Sequence, residues 1–148
     1  MELAVVGLSH KTAPVEIRER LAFNSDGLTS ALTSLVQYDA IKEAMILSTC
    51  NRVEVVAEGS DDGLIREFLA TYHRFPSEML SKHLYSFRNT EAIRHIFRVT
   101  SSLDSMMIGE PHAPADPERL GEPSNEVRLA VRDLQTAADN GRAGPRSP

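Results

Sequence analysis

The chain has 148 residues, of which 41% are hydrophobic and 25% are charged, and its formal net charge is −5. This length allows one domain and excludes two full ones, and the acidic balance argues against capture of nucleic acid by the charge of the whole domain. The single cysteine excludes a disulfide framework and a multi-cysteine metal site. The sequence shows no apolar run of membrane-spanning length and no basic signal segment. We therefore expect a cytoplasmic protein with no membrane partner and no bound metal.

The first quarter of the chain predicts a strand followed by two helices. Residues 2–8 form a short apolar run that ends at a polar turn, which is typical of a buried strand. Pro14 suits the first turn of a short helix. Asn24 or Ser25 can cap a second helix, whose apolar residues recur at helical spacing.

The next segment predicts a β-hairpin. Residues 44–48 and 53–57 are apolar enough to form two strands, and only residues 49–52 separate them. Cys50 then lies at the tip of the hairpin, at the end of the sheet.

The chain then predicts a helix ending near Tyr72, a short helix starting at Pro76, a strand at 84–87 and a helix capped by Asn89 or Thr90. This order favours an α+β fold with helices on one face of the sheet. The simplest match is a ferredoxin-like βαββαβ sheet-and-helix subdomain followed by a small helical subdomain.

The composition changes near residue 110, because most of the prolines lie beyond it. We predict a folded domain at 1–110, which contains the core, and a proline-rich linker or altered loop at 111–123. Apolar residues at helical spacing predict an amphipathic helix at 124–140, and the polar segment 141–148 is expected to be disordered.

Two side chains are candidates for chemistry. Cys50 lies among four hydrogen-bonding residues, an unusual setting for a core cysteine, and a thiol with an ordinary pKa of about 8.5 needs a base or cation nearby to react at neutral pH. His95 falls at the edge of the apolar face of its helix, where it can reach a cleft. Taken alone, each is more often a structural residue than a catalytic one. Neither paired metal-ligand spacing nor a glycine-rich nucleotide motif is present.

Three motifs occur in order along the first 111 residues: GLSHKTAP at 7–14, STCNRVE at 48–54, and EAIRHIFRV with SLDSMMIGEP at 91–111. Together they resemble the N-terminal catalytic domain of glutamyl-tRNA reductase. The resemblance implies that Cys50 attacks the ester of glutamyl-tRNA, and that NADPH reduces the resulting thioester to glutamate 1-semialdehyde for tetrapyrrole (porphyrin) biosynthesis. His95 matches a second catalytic position near the thiol. The substrate-binding positions implied by the resemblance are Thr49, Arg52, Glu54 and Ser105.

The resemblance also implies modules that this chain lacks. We expect it to be truncated before the NADPH-binding and dimerisation domains, with no cofactor-binding motif of its own, and so to be limited to acyl transfer or ester hydrolysis. Expected partners are glutamyl-tRNA and the downstream aminomutase that uses glutamate 1-semialdehyde, while the oligomeric state is not predictable. The alternative is a non-catalytic, truncated paralogue that binds tRNA, haem or a pathway partner.

Overall fold

The computed structural model describes residues 2–59, 62–101 and 128–133, the last of these as backbone only. Strands and helices follow one another along these ranges in the order that the sequence predicts as far as Thr100. Their bounds are β1 Leu3–Ser9, α1 Val15–Leu21, α2 Ser25–Leu35, β2 Ile41–Ser48, β3 Arg52–Gly59, α3 Asp62–Tyr72, α4 Ser77–Ser81, β4 Tyr85–Arg88, α5 Asn89–Thr100 and β5 Arg128–Asp133.

The strands form one antiparallel sheet in the order β4-β1-β3-β2-β5. The first four strands and their connecting helices make the predicted ferredoxin-like βαββαβ arrangement, so the α+β prediction is confirmed. In the register of the sheet, Gly7 lies opposite both Glu54 of β3 and Tyr85 of β4. These three positions therefore lie side by side on three adjacent strands, from the edge strand β4 through β1 to β3.

The two faces of the sheet are covered differently. Helices α1 to α4 contribute buried residues to a large apolar core on one face. Helix α5 covers the other face, where the buried apolar cluster consists of Val5, Val56 and Ala92. The expectation of helices on one face only is therefore wrong for α5. None of the helices in the described ranges is long and apolar enough to cross a membrane.

Two predicted helix starts have different outcomes. Asn24 caps α2, because its side-chain oxygen accepts a hydrogen bond of 2.6 Å from the backbone N–H of Gly27. The predicted cap of α5 is wrong: Arg88 is the N-cap residue and makes no side-chain cap bond. The side-chain oxygen of Asn89 instead accepts a hydrogen bond of 3.1 Å from the backbone N–H of Leu3, which ties the start of α5 to β1.

The predicted helix at 124–140 is wrong where the structure describes it, because Arg128–Asp133 forms β5. Leu129 and Val131 are two residues apart, as on one face of a strand, whereas Val127, Val131 and Leu134 recur at helical spacing, so the local pattern did not decide between strand and helix. Pairing with β2 decides it, since an edge strand offers unpaired backbone N–H and C=O groups. The predicted linker, the disordered tail and the remainder of the helical subdomain lie outside the described residues.

Candidate active site

The hairpin between β2 and β3 presents Cys50 to solvent. The backbone N–H of Thr49 donates to the carbonyl of Arg52 at 2.8 Å. The hydroxyl oxygen of Thr49 accepts hydrogen bonds from the backbone N–H groups of Asn51, at 3.2 Å, and Arg52, at 3.1 Å. Thr49 therefore shapes the turn that holds the thiol at the tip, as the sequence predicts for Cys50.

A second loop braces this tip. The backbone N–H of His10, just after β1, donates to the carbonyl of Asn51 at 2.8 Å. The loop is itself held by Ser9, whose carbonyl accepts from the N–H groups of Thr12 and Ala13 at 2.9 Å. The motif at 7–14 thus supports the motif at 48–54 through its backbone.

Glu54 is the centre of a buried polar cluster on the α5 face of the sheet. Its residue exposure is 2%. Its Oε1 atom accepts hydrogen bonds from Arg52 Nη1 at 2.8 Å, from His95 Nε2 at 2.7 Å and from the hydroxyl of Tyr85. Arg52 and His95 are also buried, with exposures of 5% and 9%. We call these four residues the Glu54 cluster.

Gly7 makes room for this cluster. A Cβ atom at position 7 would lie 2.8 Å from Cγ and 2.9 Å from Cα of Glu54, which is closer than carbon atoms approach each other. Because Gly7 has no side chain, the carboxylate of Glu54 can lie over β1 and meet side chains from β4 and α5. The glycine at this point of the first motif is therefore required by packing.

The cluster holds Glu54 in its charged form. Burial by itself raises the pKa of Glu54, but the hydrogen bonds from His95 and Tyr85, with the positive charge of Arg52, outweigh burial and leave the pKa below its ordinary value. A charged carboxylate only accepts hydrogen bonds, so His95 Nε2 must carry the proton in this contact. The other ring nitrogen, Nδ1, is then the one whose protonation can change.

Aromatic rings fix the imidazole from the side. The ring of Phe87 stacks on His95 with centroids 4.5 Å apart and planes inclined by 24°. The centroid of Tyr85 lies 5.4 Å from that of His95. Both aromatic residues lie on β4, two positions apart, and so project to the same face. The sequence analysis did not identify Tyr85 or Phe87 as site residues, although their alternation was a signal that they share a face.

A family model described as glutamyl-tRNA(Glu) reductase, N-terminal domain, matches residues 6–116. This chain belongs to that family. The glutamyl-tRNA reductase of Pelobacter propionicus is 54% identical over 115 residues, which cover 75% of this chain and 26% of that protein. The one from Thermodesulfovibrio yellowstonii is 45% identical over 143 residues, which cover 89% of this chain and 32% of that protein.

A solved structure agrees with the sequence matches. Glutamyl-tRNA reductase from Methanopyrus kandleri aligns with a TM-score of 0.53 and 37% sequence identity, over 73% of this chain and 24% of that one. The chain thus spans about a quarter to a third of the length of these relatives.

The structure brings together three of the positions that the glutamyl-tRNA reductase resemblance implies. Arg52, Glu54 and His95 are in direct contact, and Thr49 and Cys50 occupy the hairpin tip from which β3 leads to Arg52 and Glu54. Ser105 lies outside the described residues. Across residues 2–59 and 62–101, no group of three or more histidine, cysteine, aspartate or glutamate side chains could hold a metal ion.

Proposed function

We propose that this chain carries the acyl-transfer site of a glutamyl-tRNA reductase. The sulfur of Cys50, as thiolate, attacks the ester carbonyl carbon that joins glutamate to its tRNA. A carbon–sulfur bond forms, the carbon–oxygen bond to the ribose breaks, and the tRNA hydroxyl leaves with a proton, so that a glutamyl thioester remains on Cys50. The observation that carries this proposal is the exposed thiol on a braced hairpin whose outgoing strand, β3, bears the buried Arg52–Glu54 pair in contact with His95.

The contacts within the Glu54 cluster support a different role in the reaction for each residue. The guanidinium of Arg52 presents several N–H donors in one plane, a geometry that suits the side-chain carboxylate of the glutamyl group. His95, with its Nε2 proton held by Glu54, can exchange a proton at Nδ1 during attack and release. The Oε1 atom of Glu54 accepts from both Arg52 and His95, so we assign Glu54 to ordering these two side chains, and its predicted contact with substrate stays a prediction. The substrate-binding roles of Thr49 and Ser105 stay predictions.

The second half of the family reaction needs a hydride donor, and the resemblance implies NADPH. Two strand-to-helix connections do not fit a dinucleotide: the loop from β1 to α1 contains no glycine, and β4 passes directly into α5. We assign no residue of the described ranges to NADPH. Reduction to glutamate 1-semialdehyde, and transfer of that product to an aminomutase, stay predictions for tetrapyrrole synthesis in the wider family.

The test is direct observation of the thioester. The protein is mixed with glutamyl-tRNA labelled in the glutamyl group, quenched in acid, and the peptide that contains its single cysteine is weighed by mass spectrometry. We expect one glutamyl group on Cys50 and free tRNA in equal amount. Cys50→Ser should abolish the thioester and leave tRNA binding intact.

A matched control moves the thiol. Cys50→Ser combined with Ser77→Cys keeps one cysteine on the surface, at an exposed position at the start of α4. We expect no thioester on this protein. Labelling of the moved thiol at the wild-type rate would contradict a built site, and binding of glutamyl-tRNA by the wild type without any thioester would favour the non-catalytic alternative.

A further inference from the structure

We propose that Tyr85 is a positioning residue of the acyl-transfer site: its hydroxyl holds the Glu54 carboxylate that orders both Arg52 and His95. This inference rests on the proposed function, because it concerns the same site. No motif of the sequence pointed to Tyr85. The residue is identified by where the fold places it.

The contact crosses an entire strand. Tyr85 lies on β4 and Glu54 on β3, and β1 runs between them with Gly7 opposite both. Adjacent strands are about 4.8 Å apart, so the two backbones are separated by about 10 Å. The two side chains meet over β1 because position 7 has no side chain. The contact therefore depends on three strands and on a glycine at one position.

The hydroxyl acts on an atom that two other site residues share. Oε1 of Glu54 accepts from Tyr85, from Arg52 and from His95. The three donors come from different elements: Tyr85 lies on β4, Arg52 lies on β3 with Glu54, and His95 lies on α5. Together they define the position of that oxygen. Removal of one donor frees the carboxylate to rotate, and the Arg52 and His95 contacts then lose their common anchor.

The charge of Glu54 is set by the groups around it. Those that face it are Arg52 on β3, Tyr85 on β4 and His95 on α5, whereas β1 contributes Gly7 opposite it and β2 contributes Leu47. The Tyr85 hydrogen bond lowers the pKa of Glu54, as do the contacts with His95 and Arg52, against the opposing effect of burial. Loss of the hydroxyl must raise the pKa of Glu54, and a stronger donor at the same place must lower it.

The experiment changes only the hydroxyl. Tyr85→Phe removes the donor and keeps the ring, and 3-fluorotyrosine at position 85 makes the phenol a stronger donor with nearly the same shape. The matched control is Tyr72→Phe, which removes the 3.0 Å hydrogen bond from a tyrosine hydroxyl to the carbonyl of Gly27, among the helices on the other face of the sheet. Thermal unfolding of each protein confirms that it is folded at the assay temperature.

Two readouts follow. Carbon-detected NMR of the side-chain carboxyl of Glu54 gives its titration midpoint in the full chain. Single-turnover thioester formation on Cys50, measured as a function of pH, gives the rate constant. It also gives the midpoint of the decrease in rate at low pH, where protonation of Glu54 should slow the reaction. For Tyr85→Phe we expect both midpoints to move to higher pH and the rate constant at neutral pH to fall about tenfold, a typical effect for loss of one hydrogen bond to a charged group. For 3-fluorotyrosine we expect both midpoints to move to lower pH.

The outcomes separate this inference from the proposed function. Absence of a thioester on the wild-type protein overturns the proposed function. A wild-type thioester that Tyr85→Phe forms at the same rate overturns the positioning role alone. An unmoved Glu54 titration in Tyr85→Phe also overturns it, whatever the thioester assay shows, and so does a Tyr72→Phe protein that is slowed as much as Tyr85→Phe. Opposite shifts for phenylalanine and 3-fluorotyrosine support it, because a merely structural ring would not produce them.

Discussion

The two faces of the sheet are built from the same strands and serve different ends. On the face covered by α1 to α4, residues from four helices and the sheet form the main apolar core. On the face covered by α5, three buried apolar residues form a small cluster with partly buried apolar neighbours, and the charged and aromatic Glu54 cluster is buried on the same face. The face covered by α1 to α4 thus stabilises the domain by apolar burial, whereas the face covered by α5 buries less apolar surface and holds an ionised site.

The cost of that arrangement explains its geometry. A buried carboxylate loses hydration, and this loss is offset only when charged and polar donors contact it closely. Glu54 receives such donors from its own strand, from β4 and from α5, so none of these elements can move without exposing an uncompensated charge. Polar contacts therefore hold α5 to the sheet on one face, whereas apolar packing holds the helices on the opposite face.

The largest expected effect comes from breaking the charged cluster itself. Glu54→Ala leaves Arg52 and His95 buried without their shared acceptor, and we expect the free energy of unfolding to fall by about 3–5 kcal/mol. Urea unfolding at pH 7 measures this. The control is Glu58→Ala, a half-buried glutamate on the same strand, which should cost less than about 0.5 kcal/mol. Equal losses in the two proteins would mean that the buried cluster has no special part in stability.

A smaller effect is expected from filling the space over β1. Gly7→Ala places a methyl group against the backbone oxygen of Val53 and against Glu54, and relief of that overlap should cost about 1–3 kcal/mol of unfolding free energy. It should also disturb the Glu54 carboxyl signal in NMR spectra. Gly63→Ala, at an exposed position in the first turn of α3, is the control and should be neutral or stabilising by up to about 1 kcal/mol. A Gly7→Ala protein as stable as the wild type would show that the close approach is dispensable.

The smallest expected effect on stability at neutral pH comes from His73, which packs on the face covered by α1 to α4. His73 packs edge-on against Phe23 with ring centroids 4.6 Å apart, and burial lowers its pKa to about 4 from 6.5. Its Nε2 atom is buried and, within the part of the chain that the structure describes, has no hydrogen-bond partner. His73 is therefore half-buried, with its imidazole against the apolar core.

The lowered pKa of His73 sets the sign of its effect on how stability depends on pH. Between pH 6.5 and about 4 the unfolded chain binds a proton at His73 that the folded chain does not, so stability falls as the pH falls through this window. His73→Phe should leave the unfolding free energy at pH 7 almost unchanged and reduce its loss at pH 5. His83→Phe is the control, since the Nδ1 atom of His83 donates to the carbonyl of Thr12 at 3.0 Å, away from Phe23. An identical acid loss in wild type and His73→Phe would refute the assignment.

Local pattern predicted most of the fold because the relevant signals are local. The apolar runs around Val5, Ile46 and Val55 and the helical spacing after Asn24 each reflect a period set by backbone geometry. The hairpin tip at Cys50 also followed from spacing alone. The failure at Arg128–Asp133 occurred where both periods fit, and a partner strand distant in the chain decided between them.

The sequence predicted some features of the candidate site and not others, and the reason is physical. Cys50, Arg52, Glu54 and His95 came from motifs that a sequence displays in order, together with a family that the comparisons confirm. That Glu54 is buried and accepts from both Arg52 and His95 did not follow from those motifs. A sequence states which groups are present, but their contacts depend on which strands become neighbours.

The sequence by itself thus determined the α+β class, the hairpin that carries the thiol and the membership of the glutamyl-tRNA reductase family. Only the tertiary structure decided that Gly7, Glu54 and Tyr85 lie side by side, and that β5 extends the sheet. The reason is that secondary structure follows from periods within about ten residues, whereas strand order and register join segments far apart in the chain. Tyr85 is 31 residues from Glu54 along the chain, and the fold brings its hydroxyl to the carboxylate.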